Sequence, residues 1–420
     1  MTDPTNSIKT YKTHMVTEQD EILNFRGMNI REQYINILFS SAFIIISLRS
    51  VINFYYYELN ISNLYFKITT SIVLVCFVLC LLIKRRIKIS SNDYLYISVG
   101  IIFISYNIVI FDLRGAIISF YFFICIYIFY PFIGKIKLFH RVFLITSSVI
   151  SFEMIFELIL YNGEYLGLAW KYGYEDYYNY ANRFNPLNDS TGVIESGIFR
   201  LDGIFGNHQL TGSYLAVSTS YLFGLSIHDI KKYILLFFLN FIALVATTST
   251  VSFLAFFLSV LIIFIIKKKY FYTVLAILII WILSFIPMIS VFSFRFFTNM
   301  DNELYVKSFF WRDELYRYII GFNFTVNHES DLIEMLHKFG ILPFILICFK
   351  LFYYPIIKCR FYIFKIPFVT ASAFSIVAGG LTLIHQSGIS GWHIGLHFLF
   401  LVSYLSNYLK QSGYDSLEKP

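Results

Sequence analysis

Residues 251–266 read VSFLAFFLSVLIIFII, and Lys267-Lys268-Lys269 follow directly. This uncharged apolar stretch is close to the length a helix needs to cross about 30 Å of hydrocarbon. A cluster of lysines at its exit is the pattern that marks the cytoplasmic side of a membrane segment. The same pairing recurs outward in both directions. The chain of 420 residues is 57% hydrophobic and only 14% charged, against about a quarter charged in soluble domains. A soluble fold of this length has no means of keeping so much apolar surface dry. The apolar runs are continuous rather than alternating, so the expected spanning elements are helices and not the strands of a barrel.

The apolar runs place about a dozen spans, at 35–56, 65–83, 93–111, 115–133, 142–161, 209–227, 233–247, 251–266, 270–291, 340–355, 366–384 and 393–409. The short run at 233–247 is expected to form a tight helical hairpin with its successor through Thr247, Thr248, Ser249 and Thr250. Basic clusters follow every even-numbered span: Lys84, Arg85, Arg86 and Lys88; Lys135, Lys137 and Arg141; Lys231 and Lys232; Lys267 to Lys269; Lys358, Arg360 and Lys365. The short odd-numbered exits are nearly free of Lys and Arg. The positive-inside rule then predicts cytoplasmic termini, with segment 1–34 before a retained first span and a tail at 410–420. The polytopic domain covers 35–409, with long outer loops at about 161–208 and 292–339. Loops of that length in a compact protein are usually functional or disordered. Their content of Trp, Tyr and Phe argues against disorder.

The outer loops hold Lys171, Arg183, Arg200, Arg295, Lys307, Arg312 and Arg317, on the side where basic residues are disfavoured. Arginine offers a planar fork matched to phosphate oxygens, so this set points to an anionic ligand beside the membrane, with a lipid-linked phosphate as the natural candidate. The competing reading for each residue is contact with ordinary headgroups or pairing with Glu175, Asp176, Asp301 and Glu303. Arg49, Glu153 and Glu157 fall within spans, where charge is costly, and either snorkelling or function accounts for them. His393 and His397, with His385 nearby, have the spacing of a metal pair, but a structural role is favoured and no metal is expected. The five cysteines lie in apolar runs or at a basic edge, which does not indicate a disulfide framework. The net charge of +7 reflects topology clusters and not a nucleic-acid surface.

Two segments carry a resemblance. Arg200-Leu201-Asp202-Gly203-Ile204-Phe205-Gly206-Asn207-His208 leads straight into a span, and residues 329–342, ESDLIEMLHKFGIL, lead into another. They resemble segments of the O-antigen ligase and polymerase superfamily, in which an outer amphipathic helix feeds the next span. Trp311-Arg312-Asp313 through Gly321-Phe322 resembles the region before it, and Thr247 to Thr250 stands where many members carry "T-x-S-R-G". The resemblance covers about the second half of the chain and the general topology. There are departures. With Gly340 aligned, Glu329 holds the histidine position and His328 stands one residue early. Thr250 and Val251 replace the usual Arg-Gly, and Pro343 replaces a glycine. These departures fit the polymerase branch better than the ligases.

The resemblance implies an all-α, GT-C-like membrane protein of the bacterial inner membrane with two large periplasmic loops. It implies a metal-independent, cofactor-free lipid-linked glycosyltransferase. Donor and acceptor are glycans on undecaprenyl pyrophosphate, with a chain-length regulator and a flippase as partners alongside membrane lipids. The leaving group is already good, so the protein must position the reactants and stabilise charge. Arg200 is the first expected diphosphate ligand and Arg312 the second, with Arg183 and Arg317 contributing. His328 is the favoured base with Asp331 orienting it, and Glu329 is the alternative. Within the class, an O-antigen ligase remains open. From another class, so does a flippase, although that function calls for short loops and charge lining a central cavity.

Overall fold

The computed structural model of the chain describes residues 30–47, 93–110, 112–159, 208–247, 249–283, 321, 331–384 and 392–411. Among the described residues the regular structure is helical, with no strand. Among the described residues, the expected spans overlap helices or runs of helical turns; 65–83, and parts of other spans such as 48–56 and 284–291, lie outside the described residues. Two helices, Tyr130–Phe156 and Ile341–Cys359, are long and apolar enough to cross a membrane; Tyr94–Val109, Thr250–Ile266 and Pro367–Leu381 are apolar but shorter.

The first element is α1, Ile30–Ser47. A helical hairpin follows: α2, Tyr94–Val109, and α3, Leu113–Phe123. The hairpin turns at Asp112, whose carboxylate accepts from the Gly115 N–H at 2.9 Å and caps α3. The expected single span at 115–133 is broken into α3, a short α4 at Cys125–Ile128, and a tighter turn at Tyr130–Lys135. Pro131 explains the last break, because it lacks the N–H that a continuing helix needs. Then come α5, Ile136–Ile159; α6, His208–Ser226; α7, Ile230–Ala246; α8, Thr250–Ile266; and α9, Tyr270–Leu283. Helix α7 starts three residues before the expected run because Asp229 caps it, accepting from the Lys232 N–H at 3.2 Å.

The C-terminal part contains α10, Asp331–Phe339, and α11, Ile341–Cys348. A π-helical turn at Phe349–Tyr353 joins α11 to α12, Tyr354–Cys359. Pro355 again supplies the cause. Without its N–H the Leu351 carbonyl loses its usual partner, and the Tyr354 N–H reaches back to Phe349. Helix α13, Pro367–Leu381, ends in a turn at Thr382–Ile384, and α14, Trp392–Gln411, closes the described chain.

Helix α6 is the centre of the bundle, and small or hydroxylated residues let its neighbours approach. A Cβ on Gly224 would lie 2.6 Å from Ala371 Cα, and the Ser375 hydroxyl donates to the Val217 carbonyl at 3.0 Å, so α13 runs antiparallel to α6. A Cβ on Gly212 would lie 2.8 Å from Ser249 Cβ, and Ser220 meets Ser259 at 3.2 Å, so α8 runs parallel to α6. The Ser218 hydroxyl donates to Asn240 of α7 at 2.9 Å. Thr146 meets Tyr214 at 2.9 Å and His140 meets Tyr221 at 3.3 Å, which sets α5 antiparallel to α6. Buried Ser, Thr and Asn therefore face inward, while Leu235, Phe238, Ile242, Leu342, Ile345 and Phe349 are exposed. That inversion suits a lipid environment, where apolar surface need not be hidden and hydroxyls serve as interhelical contacts.

These registers sort the helix ends. The starts of α6 and α8, the end of α13 and the start of α14 share one end. The opposite end carries Lys135, Lys137, Arg141, Lys231, Lys232, the three lysines after α8, Lys358, Arg360 and Lys365. Contacts across that basic end include Lys135 to Glu32 at 2.6 Å and the Lys358 amine to the Ser406 carbonyl at 2.9 Å.

Candidate functional site

The expected site residues Arg183, Arg200, Arg312, Arg317, His328 and Glu329 lie outside the described residues, as do the Arg49 side chain and the Glu157 side chain. Asp331 is the first residue of α10. What the structure describes is the set of helix ends into which these segments lead. The Arg200 motif enters α6 at His208. The Gly212 contact brings that helix start against Ser249 and Ser252 of the hairpin. The turn at Thr382–Ile384 packs on both α8 and α10. Among the described residues, the start of α6, the turn into α8 and α10 thus lie at one end of the bundle, opposite the lysine and arginine clusters.

Helix α10 is amphipathic, and its apolar side is seated in the protein. Met335 and Phe339 are buried, with the Phe339 ring 5.2 Å from Phe103 and 5.4 Å from Phe123. Leu336 is half-buried, and the Leu332 side chain lies outside the described residues. The buried side is not wholly apolar. His337 and Lys338 are also buried, and Lys338 is ion-paired with Glu334 one turn earlier. The apolar stripe alone does not reveal this pair; the Glu-to-Lys spacing of four was the available signal.

The chain passes from α10 to α11 through Gly340, and Gly321 crosses that junction. Both have φ near +78°, a left-handed conformation that suits glycine. A Cβ on Gly321 would stand 2.3 Å from the Gly340 nitrogen and 2.4 Å from the Phe339 carbonyl carbon, and backbone cannot move aside as a flexible side chain can. Gly321→Ala is therefore expected to destabilise the protein by about 2–4 kcal/mol, combining left-handed strain with overpacking. Thermal unfolding in detergent measures this. Gly134→Ala is the control, because nothing lies within 4 Å of its added Cβ; equal stability of the two variants would refute the crossing.

A second polar cluster lies inside the bundle. Lys350, in the π-helical turn, is ion-paired with Asp93 at the start of α2. Its amine sits 5.0 Å from the Tyr354 ring centroid and 5.8 Å from that of Tyr127. The Tyr96 hydroxyl donates to the Phe122 carbonyl at 2.7 Å beside it. His397 is fully buried among Phe43, Phe143 and Tyr214, with ring centroids at 4.9, 5.3 and 5.8 Å, an aromatic environment that gives it a packing role. Among the described residues no group of three His, Cys, Asp or Glu side chains could hold a metal ion. Cys125, Cys348 and Cys359 are free thiols. Glu153 is half-buried near the end of α5. Counting one helical rise per residue from the Thr146–Tyr214 contact puts it level with the start of α6.

Comparison with known protein families, with curated proteins and with solved structures finds no match to this chain.

Proposed function

We propose that this protein polymerises lipid-linked oligosaccharide repeats at the outer face of a bacterial inner membrane. In this reading it crosses the bilayer about a dozen times, with both termini cytoplasmic. The observation that carries the reading is the meeting of α6, the Thr247–Thr250 hairpin and α10 at the end of the bundle opposite its basic turns. The sequence motifs that resemble O-antigen polymerases and ligases lead into those three elements. By the positive-inside rule the basic end is cytoplasmic, so the motif-bearing end faces outward.

The chemistry transfers a glycan from one undecaprenyl pyrophosphate to the sugar hydroxyl at the non-reducing end of another lipid-linked repeat. A base takes the hydroxyl proton, the oxygen attacks the anomeric carbon, and the bond to the diphosphate breaks. Arg200 and Arg312, with Arg183 and Arg317, meet the charge on the departing diphosphate. His328 takes the proton while Asp331 orients its ring.

Lipopolysaccharide from a deletion strain tests the reading. Single repeats on the core are expected, whereas free lipid-linked polymer indicates a ligase and the absence of any surface repeat indicates a flippase. In the same strain Arg200→Ala and Arg200→Lys should both abolish polymer, because a point charge does not replace a bidentate fork. Normal polymer length from Arg200→Lys at matched expression would show that a single positive charge suffices.

A further inference from the structure

At the basic end α8 runs into Lys267, Lys268 and Lys269 before α9 begins. The Lys268 N–H donates to the Ile265 carbonyl at 2.9 Å and the Lys269 N–H to that of Phe264 at 2.8 Å. This is the helix ending in which one residue turns left-handed, a position usually held by glycine. Here it is Lys268, with φ 54° and an exposed side chain. Its Cβ carries strain that glycine avoids. Among the described residues the other non-glycine left-handed residue is Phe364 at φ 69°, which has a packing account: its ring stacks on Phe264 at 5.8 Å and its N–H donates to Thr370 at 2.9 Å. Lys268 has none.

The facing turn brings more positive charge. The Lys267 amine donates to the Arg360 carbonyl at 2.7 Å, which joins the two turns. Burial, then Lys365, then Lys269 hold the Lys267 amine below the ordinary lysine range, and no acid is among these influences. The cations thus gather without a described carboxylate between them. Phe361, Phe271 and Tyr272 are exposed on the same two segments, the mixture of rings and cations that belongs at a membrane–water boundary.

We infer that Lys267, Lys268, Lys269, Arg360 and Lys365 form a headgroup site for the phosphate of an anionic phospholipid. A fold with no such ligand is better served by glycine at position 268; a lysine there trades local stability for a cation at the lipid surface. The inference rests on the membrane reading of the chain and stands whether or not the protein is a polymerase.

The test uses purified full-length protein in detergent, with phosphatidylglycerol and phosphatidylcholine added in equal amounts and retained lipid counted by native mass spectrometry. The wild type is expected to retain phosphatidylglycerol preferentially. Lys268→Gly should raise the melting temperature yet weaken phosphatidylglycerol binding about fivefold, the effect of one lysine at an anionic surface. Lys267→Gln combined with Lys365→Gln should weaken it further, and Lys231→Gln, on a different turn, should not. Equal retention of the two lipids, unchanged binding by Lys268→Gly, or a lower melting temperature for that variant would each overturn the inference. Displacement of the lipid by millimolar inorganic phosphate would also overturn it, by showing a free-anion site.

Discussion

Lys350→Met should lower the unfolding free energy of the purified protein by about 3–5 kcal/mol, and Asp93→Asn by a similar amount. Lys350 stands midway along the Ile341–Cys359 helix, about 14 Å from either end. Its side chain is 11% exposed and that of Asp93 is 4% exposed, so each single change breaks the ion pair and leaves the other charge buried. The double variant removes both charges and should recover most of the loss, because two neutral groups carry no such desolvation cost. Unfolding in mixed micelles, with all four proteins compared at one detergent composition, reads the coupling directly. A double variant no more stable than the weaker single variant would mean that the pair is not the source of the stability.

That pair has a structural consequence for the outer end. The helical run from α10 to α12 carries α10 at one end and Lys350 at its middle. The ion pair ties this run to α2, while Phe339 packs on Phe103 of α2 at a higher level. The two contacts, one on each side of Gly340, both anchor this run against α2. The π-helical turn at Phe349–Tyr353 holds Lys350 itself, and such turns are frequent at functional sites.

The helices were legible in the sequence because the apolar runs are long and the basic clusters alternate with them. Their ends were not, and the reasons are local. Asp229 extends α7 backward by capping it, Pro131 breaks the run after α4, and Pro355 widens the turn that holds Lys350. Hydropathy averages over such single residues. The Asp93–Lys350 pair was equally hidden, since its members stand 257 positions apart and the acid sits at the edge of an apolar run. The hairpin at Thr247–Thr250 was recognised from its hydroxyl residues, but its contact with α6 depends on Gly212, whose missing side chain gives no pattern to read. For the candidate site, the arginines and His328 are known from the sequence alone and lie outside the described residues, while the structure supplied the start of α6, the start of α10 and the Glu334–Lys338 pair.

On the proposed polymerase reading, with His328 as base, His328→Ala should reduce polymer formation by about 10²–10⁴-fold, the range associated with loss of a general base. The case begins with α10. Asp331 stands four and eight residues ahead of Met335 and Phe339 in the sequence. Asp331 opens the helix, where the backbone dipole favours its negative charge. A carboxylate stabilised in that way is better suited to orienting an imidazole and stabilising its protonated form than to taking a proton itself. Histidine is the side chain whose ordinary proton affinity matches neutral pH, and His328 is three residues ahead of Asp331. Asp331→Asn keeps a side chain able to cap the helix, so it should preserve folding while lowering polymer less than His328→Ala does. Glu329→Gln is the decisive comparison, because alignment on Gly340 puts Glu329 at the histidine position of the O-antigen ligases and polymerases that the segment resembles. Each variant is scored for polymer length and amount in a deletion strain, at matched expression. Normal polymer from His328→Ala, with none from Glu329→Gln, assigns the base to the carboxylate. Normal polymer from both removes this turn from the chemistry and leaves Asp331 as the first residue of a structural helix.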